Sequence, residues 1–593
     1  MLFQHEDQFY SQRGFSLMEI LVAIAMFAII TSGIFLTYGN ILEVINRSRS
    51  RAIGTTILNE QIEIIRNLQY DDIGIAGGFP AGVIPYQKSI VREGGLYLVT
   101  AFVRSIDDDY DGQVGGSPND TAPADYRLVE LEVSCPDCFA FAPMRFTTWF
   151  APENLEASAP NGSLFINVFD ANGQPVGQAD IEITNTSLNP TITIVDTSNN
   201  SGTLQLVDVP TSTNGYEITV TKDGYSSDQT YVPGGAGNPN PLKPHSTVVF
   251  QEITEISFAI DQLSNLQVET YDDFCSPIGG ISFDVVGNRL IGSGPDVPKY
   301  EDSFTTDSGG QFSVSAIPWD TYIFTNTSSS AYDIVGSNPL VPVPVNPGST
   351  TPVAFVLQPA AATSLVIRVV DESGDGLTNA TVNLVKGAFN ETKLTGERYR
   401  EETNWFGGQY AAQDGTVDDT TAGQLTIIQT LPGVYATNTN SWLISNTFDL
   451  GVQTTEFFGL QWSAVTPLPP GSSYSFQLAS NNDQATWNFI GPDGTTGTSY
   501  TTSPAPIGNW HDGNRYFRYR LALNTTNQTG TPTIQDVGFR FRSGCTPGSQ
   551  AFWDGLSAGS YVVTVTKSGY NIATSTIVVG SGWQEKVINL IVP

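Results

Sequence analysis

The residues best suited to chemistry in this sequence are carboxylates. Asp107, Asp108, Asp109, Asp111, Asp120 and Asp125 fall in one turn-rich stretch, DDDYDGQVGGSPNDTAPAD. Convergent oxygens on a Gly-rich loop are what a hard cation such as Ca²⁺ needs. The stretch lacks full EF-hand spacing and a terminal Glu. Two readings stand: a Ca²⁺ site drawn from Asp107, Asp109, Asp111, Asp120 and Asp125, or a solvated acidic loop. Glu19 is a carboxylate of another kind, because the 23 residues from Ile20 to Leu42 carry no formal charge. An acid beside so long an apolar run is costly to bury and needs a reason to be there.

Aromatic chemistry is concentrated late in the chain. Trp405, Trp442, Trp462, Trp487 and Trp510 are five of the nine tryptophans. Indole rings stack on the apolar faces of sugars, so glycan binding is one reading and core packing the other. Trp442 and Trp462 lie in alternating strand patterns and are expected in the core. Trp487 and Trp510 border turns and are the candidates for glycan contact. Among the four cysteines, Cys135 and Cys138 can form a local disulfide in an exported chain, although a lone CxxC is also half of a zinc site. Cys275 and Cys545 can pair over a long distance, and sequence leaves the connectivity open.

Other reactive patterns are missing. No HExxH, Walker lysine motif or paired CxxC occurs, and His5, His245 and His511 are the only histidines. Gly555 to Gly559 spell GxSxG, which acts as a nucleophile elbow only at a strand-to-helix turn. Here it precedes the strand pattern YVVTVTK and reads as an ordinary turn. No enzyme activity is expected. A formal charge of −33 from 26 Lys and Arg against 59 Asp and Glu also disfavours nucleic acid as a partner.

The elements that carry these residues begin with a long helix. The run from Ile20 to Leu36 is long enough to cross a bilayer, or nearly so. No proline occurs before Pro80, and Ile53, Ile57, Ile62, Ile64, Ile65 and Leu68 keep helical spacing, which predicts one helix from Phe15 to about Leu68. Its second half should pack on a small sheet with strands at GLYLVTAFVRSI and YRLVELEV. Residues 13 to 30, RGFSLMEILVAIAMFAII, resemble the class III signal of type IV pilins and pseudopilins. That resemblance implies cleavage between Gly14 and Phe15, methylation of Phe15, and an assembly role for Glu19, whose carboxylate would meet the N-terminus of a neighbouring subunit. It further implies a prepilin peptidase and other pilin subunits as partners. The helix would sit in the cytoplasmic (inner) membrane with the C-terminal part exported, reaching the cell surface or pilus after assembly. Some pseudopilins bind calcium through an acidic loop, so Ca²⁺ is the one cofactor the resemblance suggests. The Lys and Arg count opposes this orientation, since Arg47, Arg49 and Arg51 follow the apolar run. The motif is the more specific signal.

After Ala151 the chain repeats. SLFINVFDANGQPVGQADIEI, NLQVETYDDFCSPIGGISFDV and SLVIRVVDESGDGLTNATVNL align, with Leu164, Leu266 and Leu365 in equivalent places. Serial modules follow, each expected to be a small antiparallel β-sandwich. They resemble carboxypeptidase regulatory-like domains, which implies spacers or binding platforms without peptidase activity. The third repeat is interrupted by strand candidates that look like a jelly-roll or galactose-binding-like domain.

The resulting fold class is mainly β and multidomain: a leader at 1–14, a helix at 15–68, a pilin-like α+β sheet at 69–150, and sandwiches at 151–262 and 263–361. The third sandwich spans 362–400 and 546–593 around an insert at 401–545. The function expected is a low-copy pilin-like surface protein displaying adhesive or spacer modules, with surface glycan or protein as the contact. The alternative is a pseudopilin of a type II secretion or DNA-uptake machine.

Overall fold

A computed structural model describes residues 17–138, 140–152, 161–328, 330–437, 440–452 and 455–593. Strand accounts for 49% of the chain and helix for 9%, so the fold is mainly β. The chain divides into two compact units, Met1–Asp261 with Gly292–Pro295, and Gln262–Ile291 with Asp296–Pro593.

The first unit starts with the helix Leu17–Arg66, 50 residues long and therefore about 75 Å at ~1.5 Å per residue. Its two halves face different surroundings. Ile57, Leu58, Ile62 and Ile65 are buried against Tyr97, Val99, Ala101, Val129, Leu131 and Val133. Ile64, expected on that face, is 48% exposed, because it lies off the stripe that Leu58, Ile62 and Ile65 define. The supporting sheet is a four-stranded antiparallel meander of Gln87–Arg92, Gly95–Ile106, Tyr126–Ser134 and Met144–Phe150. Strict alternation along Gly95–Ile106 turns Tyr97, Val99, Ala101 and Val103 toward the helix. The sheet is joined to the next module by Arg104, whose guanidinium meets both oxygens of the buried Asp196.

Three sandwiches follow one plan, and they differ from the purely antiparallel modules expected. In each, the first and last strands pair in parallel: Asn161–Phe169 with Ile253–Ala259, Ser264–Tyr271 with Thr350–Pro359, and Thr363–Val370 with Gly582–Asn589. The other strand pairs whose register is described within these modules are antiparallel, and Tyr231 with Pro244 forms an isolated parallel bridge. A parallel pair requires a long crossover, which the rest of the module supplies. Each module is consequently entered at one end and left at the other. Leu164, Leu266 and Leu365 are fully buried on the opening strands.

The acidic turn after each opening strand has one geometry. Asp170 Oδ1 accepts from the amides of Asn172 and Gln174, both at 2.8 Å. Asp272 does the same for Phe274 and Ser276, and Asp371 for Ser373 and Asp375. Such side chain to backbone bonds explain why Asp is required there. The left-handed position of this turn is Gly173 in one module and Gly374 in another. In the middle module it is Cys275, with φ of 60°, a strained choice for a residue with a Cβ. Its side chain is needed, since Cys275 is bonded to Cys545.

A buried tyrosine locks each second half. Tyr216 donates to Pro210 O and Tyr322 to Pro318 O, both at 2.6 Å, and Tyr561 to Ser557 O at 2.8 Å. Ser557 is the serine of the GxSxG pattern. It lies in the turn between Gln550–Asp554 and Gly559–Thr566, where its carbonyl also accepts from Lys386 Nζ at 3.0 Å.

The insert replaces a single turn. Asn199 in the first module and Asp307 in the second cap the turns that lead into Thr203–Pro210 and Gln311–Ile317. At the same place in the third module, after Thr395, the chain departs and returns at Gln550. Gly396 N donates to Gln550 O at 2.9 Å, which closes the stem. The strand Arg398–Glu402 already pairs with Ile534–Arg542, so the insert begins at Arg398 rather than Glu401. Its two sheets enclose a core that includes Trp405, Trp462, Phe476, Tyr519 and Phe539.

Replacing Tyr322 by Phe should leave Pro318 O short of its donor. A loss of about 1–2 kcal/mol in the unfolding transition of the second sandwich is expected from denaturant titration of the full chain.

Candidate functional site

Three places hold the residues singled out in the sequence. The first is the amino-terminal half of the helix. Gly14 and Phe15 lie outside the described residues. Glu19 falls in the first turn of the helix Leu17–Arg66, and its side chain is likewise outside the described set. On either side of it the described helix surface is apolar and uncovered: Leu17 is 78% exposed, Phe27 71% and Ile29 72%. The hydroxyls on this segment turn inward on their own backbone. Thr31 Oγ1 donates to Phe27 O at 2.7 Å, and Ser32 and Thr37 donate to Ala28 O and Gly33 O at 2.8 Å. That arrangement leaves little hydrogen-bonding demand on whatever surrounds the segment. Among the described residues, no helix is long and apolar enough to cross a membrane.

The second place is the loop between Gly95–Ile106 and Tyr126–Ser134. Two adjacent antiparallel strands bring its ends together, because Ile106 pairs with Tyr126. Asp111, Asp120 and Asp125 then each offer an oxygen within 4.8 Å of the others. Asp120 is buried, 9% exposed, and its Oδ2 has no hydrogen-bond partner, while its Oδ1 accepts from Ala122 N at 2.8 Å. Asp107 stands alongside, accepting from Val114 N at 2.8 Å with Oδ1 unpartnered. Burial, together with the charges of Asp120, Asp111 and Asp109, holds its carboxyl above the usual range. Asp109 departs from the expected ligand set, since its carboxylate accepts from Gln113 Nε2 instead. An unpartnered buried carboxylate oxygen beside two more acids fits a hard cation. Asp111, Asp120 and Asp125 would hold Ca²⁺, with Asp107 adjacent.

The third place is the insert. Trp462 is buried at 6% exposure in the core, as expected. Trp442 is not. In Ser441–Ile444 the inward positions are Ser441 and Leu443, so Trp442 stands half-buried on the outer face, beside Arg520. Trp510 is 56% exposed and lies against Gly494 and Gly508, where a Cβ would come within 2.8 Å and 2.5 Å of the indole. Trp487 is half-buried under the Arg518 guanidinium, 4.2 Å from the ring centroid. Trp405 is fully buried and donates to Tyr519 Oη at 2.7 Å, and that hydroxyl bonds Glu402. Burial pushes Glu402 up to about 7 against these hydrogen bonds, and it pushes His511 down to about 4.

The cysteines pair as Cys135 with Cys138 and Cys275 with Cys545. The second bond ties the acidic turn of the middle sandwich to the return leg of the insert. Close packing surrounds it, for Arg400 lies 4.2 Å over the Phe274 ring and a Cβ on Gly451 would lie 1.9 Å from Phe274 O.

Comparison with known proteins bears chiefly on the first place. The prokaryotic N-terminal methylation motif matches residues 10–35. No curated protein matches the chain. Among solved structures, the TIE protein of Bacillus anthracis is similar over 86% of this chain and 73% of its own, at 10% identity and a TM-score of 0.15. A streptococcal ancillary pilin is similar over 73% of this chain and 99% of its own, at 9% identity and TM-score 0.14. The shaft pilin SpaA of Lactobacillus rhamnosus GG covers 33% of this chain with 98% of its own, at 12% identity and TM-score 0.14. Scores this low carry no argument about function.

Two outcomes are expected. Calcium should raise the melting temperature of the full chain, and Asp120→Asn should abolish the rise. The Asp107 carboxyl, raised in the folded state, opposes folding once pH passes its unfolded pKa, fully so above its folded one, and a cation bound beside it relieves that penalty. The calcium-induced shift should therefore be larger at pH 7 than at pH 4 by calorimetry. Separately, Trp462→Ala should cost roughly 3–5 kcal/mol as a core cavity, whereas Trp510→Ala should change stability by under about 1 kcal/mol.

Proposed function

We propose that the chain is a low-copy, pilin-like surface protein that joins a filament through its N-terminal helix and displays β-modules outward. The observation that carries this reading is the methylation motif at residues 10–35 placed at the start of a helix whose first half exposes apolar side chains. Exposed apolar area of this kind needs lipid or neighbouring apolar helices to cover it. Membrane first and filament later would supply both. Glu19 would then find its partner in the next subunit, and prepilin peptidase would act at Gly14.

The described architecture suits a display role. The second half of the helix is packed into a sheet that is itself ion-paired, through Arg104 and Asp196, to the first sandwich. Modules whose first and last strands run parallel each carry the chain from one of their ends to the other. Within the second unit, successive sandwiches share buried contacts: Val335, Val356, Val366 and Phe552 pack together, and Trp583 Nε1 donates to Ile334 O at 2.7 Å. The insert, of jelly-roll-like character, would be the contact module for a glycan or protein surface. A cargo of this bulk favours a tip or low-copy position over every subunit of a packed shaft.

Mass spectrometry of the mature surface form should find Phe15 at the amino terminus, methylated. Glu19→Ala should keep cleavage and fold while reducing recovery in sheared filaments several-fold. Retention of Met1, or equal recovery of mutant and wild type, would sink this reading.

A further inference from the structure

The strand Tyr516–Thr525 runs through the insert's five-stranded sheet and alternates strictly. Phe517, Tyr519, Leu521 and Leu523 enter the core, which leaves Arg518 and Arg520 on the outer face. Two residues apart on a strand, they project side by side about 7 Å apart. Each is flanked by a tryptophan, Arg518 by Trp487 at 4.2 Å and Arg520 by Trp442 at 5.4 Å. Trp442 and Arg520 come from neighbouring strands in register, Trp442 opposite Ala522 and Ile444 opposite Arg520.

These arginines differ from the others nearby. Arg515 is paired with Asp449 at 2.6 Å, Arg540 with Glu397 and Arg542 with Glu456. Among the described residues neither Arg518 nor Arg520 makes an ion pair. Arg518 donates Nε to Thr447 Oγ1 at 2.9 Å, which fixes the guanidinium and leaves both Nη groups available. A guanidinium over an indole face is attracted to the ring while its N–H donors stay open, and such a group recognises a carboxylate through two parallel bonds. The acids on the segments that carry the two tryptophans are engaged by backbone amides, Asp414 Oδ2 accepting from Trp442 N at 3.2 Å and Asp483 from Thr486 N at 2.9 Å, and Asp449 on the neighbouring strand is the one paired with Arg515.

We propose that this outer face, Arg518 and Arg520 between Trp487 and Trp442, binds an acidic polysaccharide bearing sugar carboxylates. Charge complementarity selects the occupant. In a chain of net −33, two unpaired guanidinium groups on one face are a local exception, and screening over about 8 Å at physiological salt lets that local field act against the mean one. The tryptophans supply apolar area for the sugar rings beside the anchored carboxylates. This inference rests on the glycan-contact reading of the insert and adds the class of glycan and the residues that select it.

The test uses the full-length protein in detergent micelles, with alginate as the polyuronate, dextran sulfate as a sulfate-bearing polymer and neutral dextran as control. Alginate should bind at least ten-fold more tightly than either, and the affinity should fall as salt rises. The double substitution Arg518→Gln with Arg520→Gln should weaken alginate binding at least ten-fold with an unchanged melting curve. Lysine at both positions, which keeps charge and fold but loses the bidentate plane, should recover only part of the loss. Undiminished alginate binding in the glutamine variant, full recovery with lysine, or tighter binding of dextran sulfate or dextran overturns the carboxylate assignment alone. If folded wild-type protein binds none of the three, the glycan-contact reading falls with it.

Discussion

One continuous helix has to satisfy two environments, and the rest of the molecule is arranged around that demand. From Leu17 to Ile45 its described apolar side chains are largely exposed, while from Ile57 to Ile65 the same helix is sealed onto a sheet. Because an α-helix transmits its axis rigidly over many turns, whatever holds the first half also orients the second. The sealed half is pinned by more than apolar contact. Arg92 reaches Glu60 at 2.9 Å and Lys88 Nζ donates to Gln61 at 3.0 Å, so the first hairpin grips the helix from its side. The exposed Arg92–Glu60 pair contributes about 1 kcal/mol or less, and the Lys88 bond to the buried Gln61 is a single contact of similar size. They fix register, and apolar burial supplies the stability.

The sandwiches solve a different problem, that of adding length without losing order. Parallel closure of first and last strands gives every module opposite entry and exit ends. The Asx turns at Asp170, Asp272 and Asp371 and the buried hydroxyls of Tyr216, Tyr322 and Tyr561 tie down the loops that closure leaves behind. The separate turn that Asn199 and Asp307 cap in the first two modules is the place where the third module takes in extra chain without disturbing its strands. There Thr395 Oγ1 accepts from Ala380 N as Ser198 does from Ala179 N and Thr306 from Ile281 N, and the chain leaves for the insert at Gly396 and Glu397. Arg542 then roots the returning strand by donating to Gly396 O and Thr395 O. The Cys275–Cys545 bond adds a second tether and requires a left-handed cysteine where the sister turns carry glycine.

Much of this was legible in advance because it is local. The helix and the two central strands of the meander follow from periodicity, and Gly95–Ile106 coincides with the alternating run GLYLVTAFVRSI, whereas the outer strands Gln87–Arg92 and Met144–Phe150 carried no such signal. The repeat motif marked the acidic turns because a side-chain carboxylate capping two amides is a contact between residues two and four apart. The Asp cluster was visible as composition, yet its membership was not. Asp109 sits two residues from Asp111, but the loop path turns it toward Gln113 while bringing Asp120 and Asp125 in from farther along. Trp442 was misplaced for a related reason, since alternation gives two possible faces and only the register of neighbouring strands chooses between them.

The sequence by itself determined the elements, the motif at the amino terminus and the order of the modules, since each depends on side chains a few residues apart. Tertiary structure alone decided the parallel closure of the sandwiches, which joins residues from 85 (Asn265 to Thr350) to 219 (Thr363 to Gly582) positions apart. It alone decided the pairing of Cys275 with Cys545, 270 residues distant. It also decided which arginines are engaged in ion pairs and which, like Arg518 and Arg520, stand between tryptophans without one. The physical reason is common to all three: contacts between distant residues depend on how sheets stack, and a one-dimensional pattern specifies which face of a strand is apolar without specifying what that face will meet.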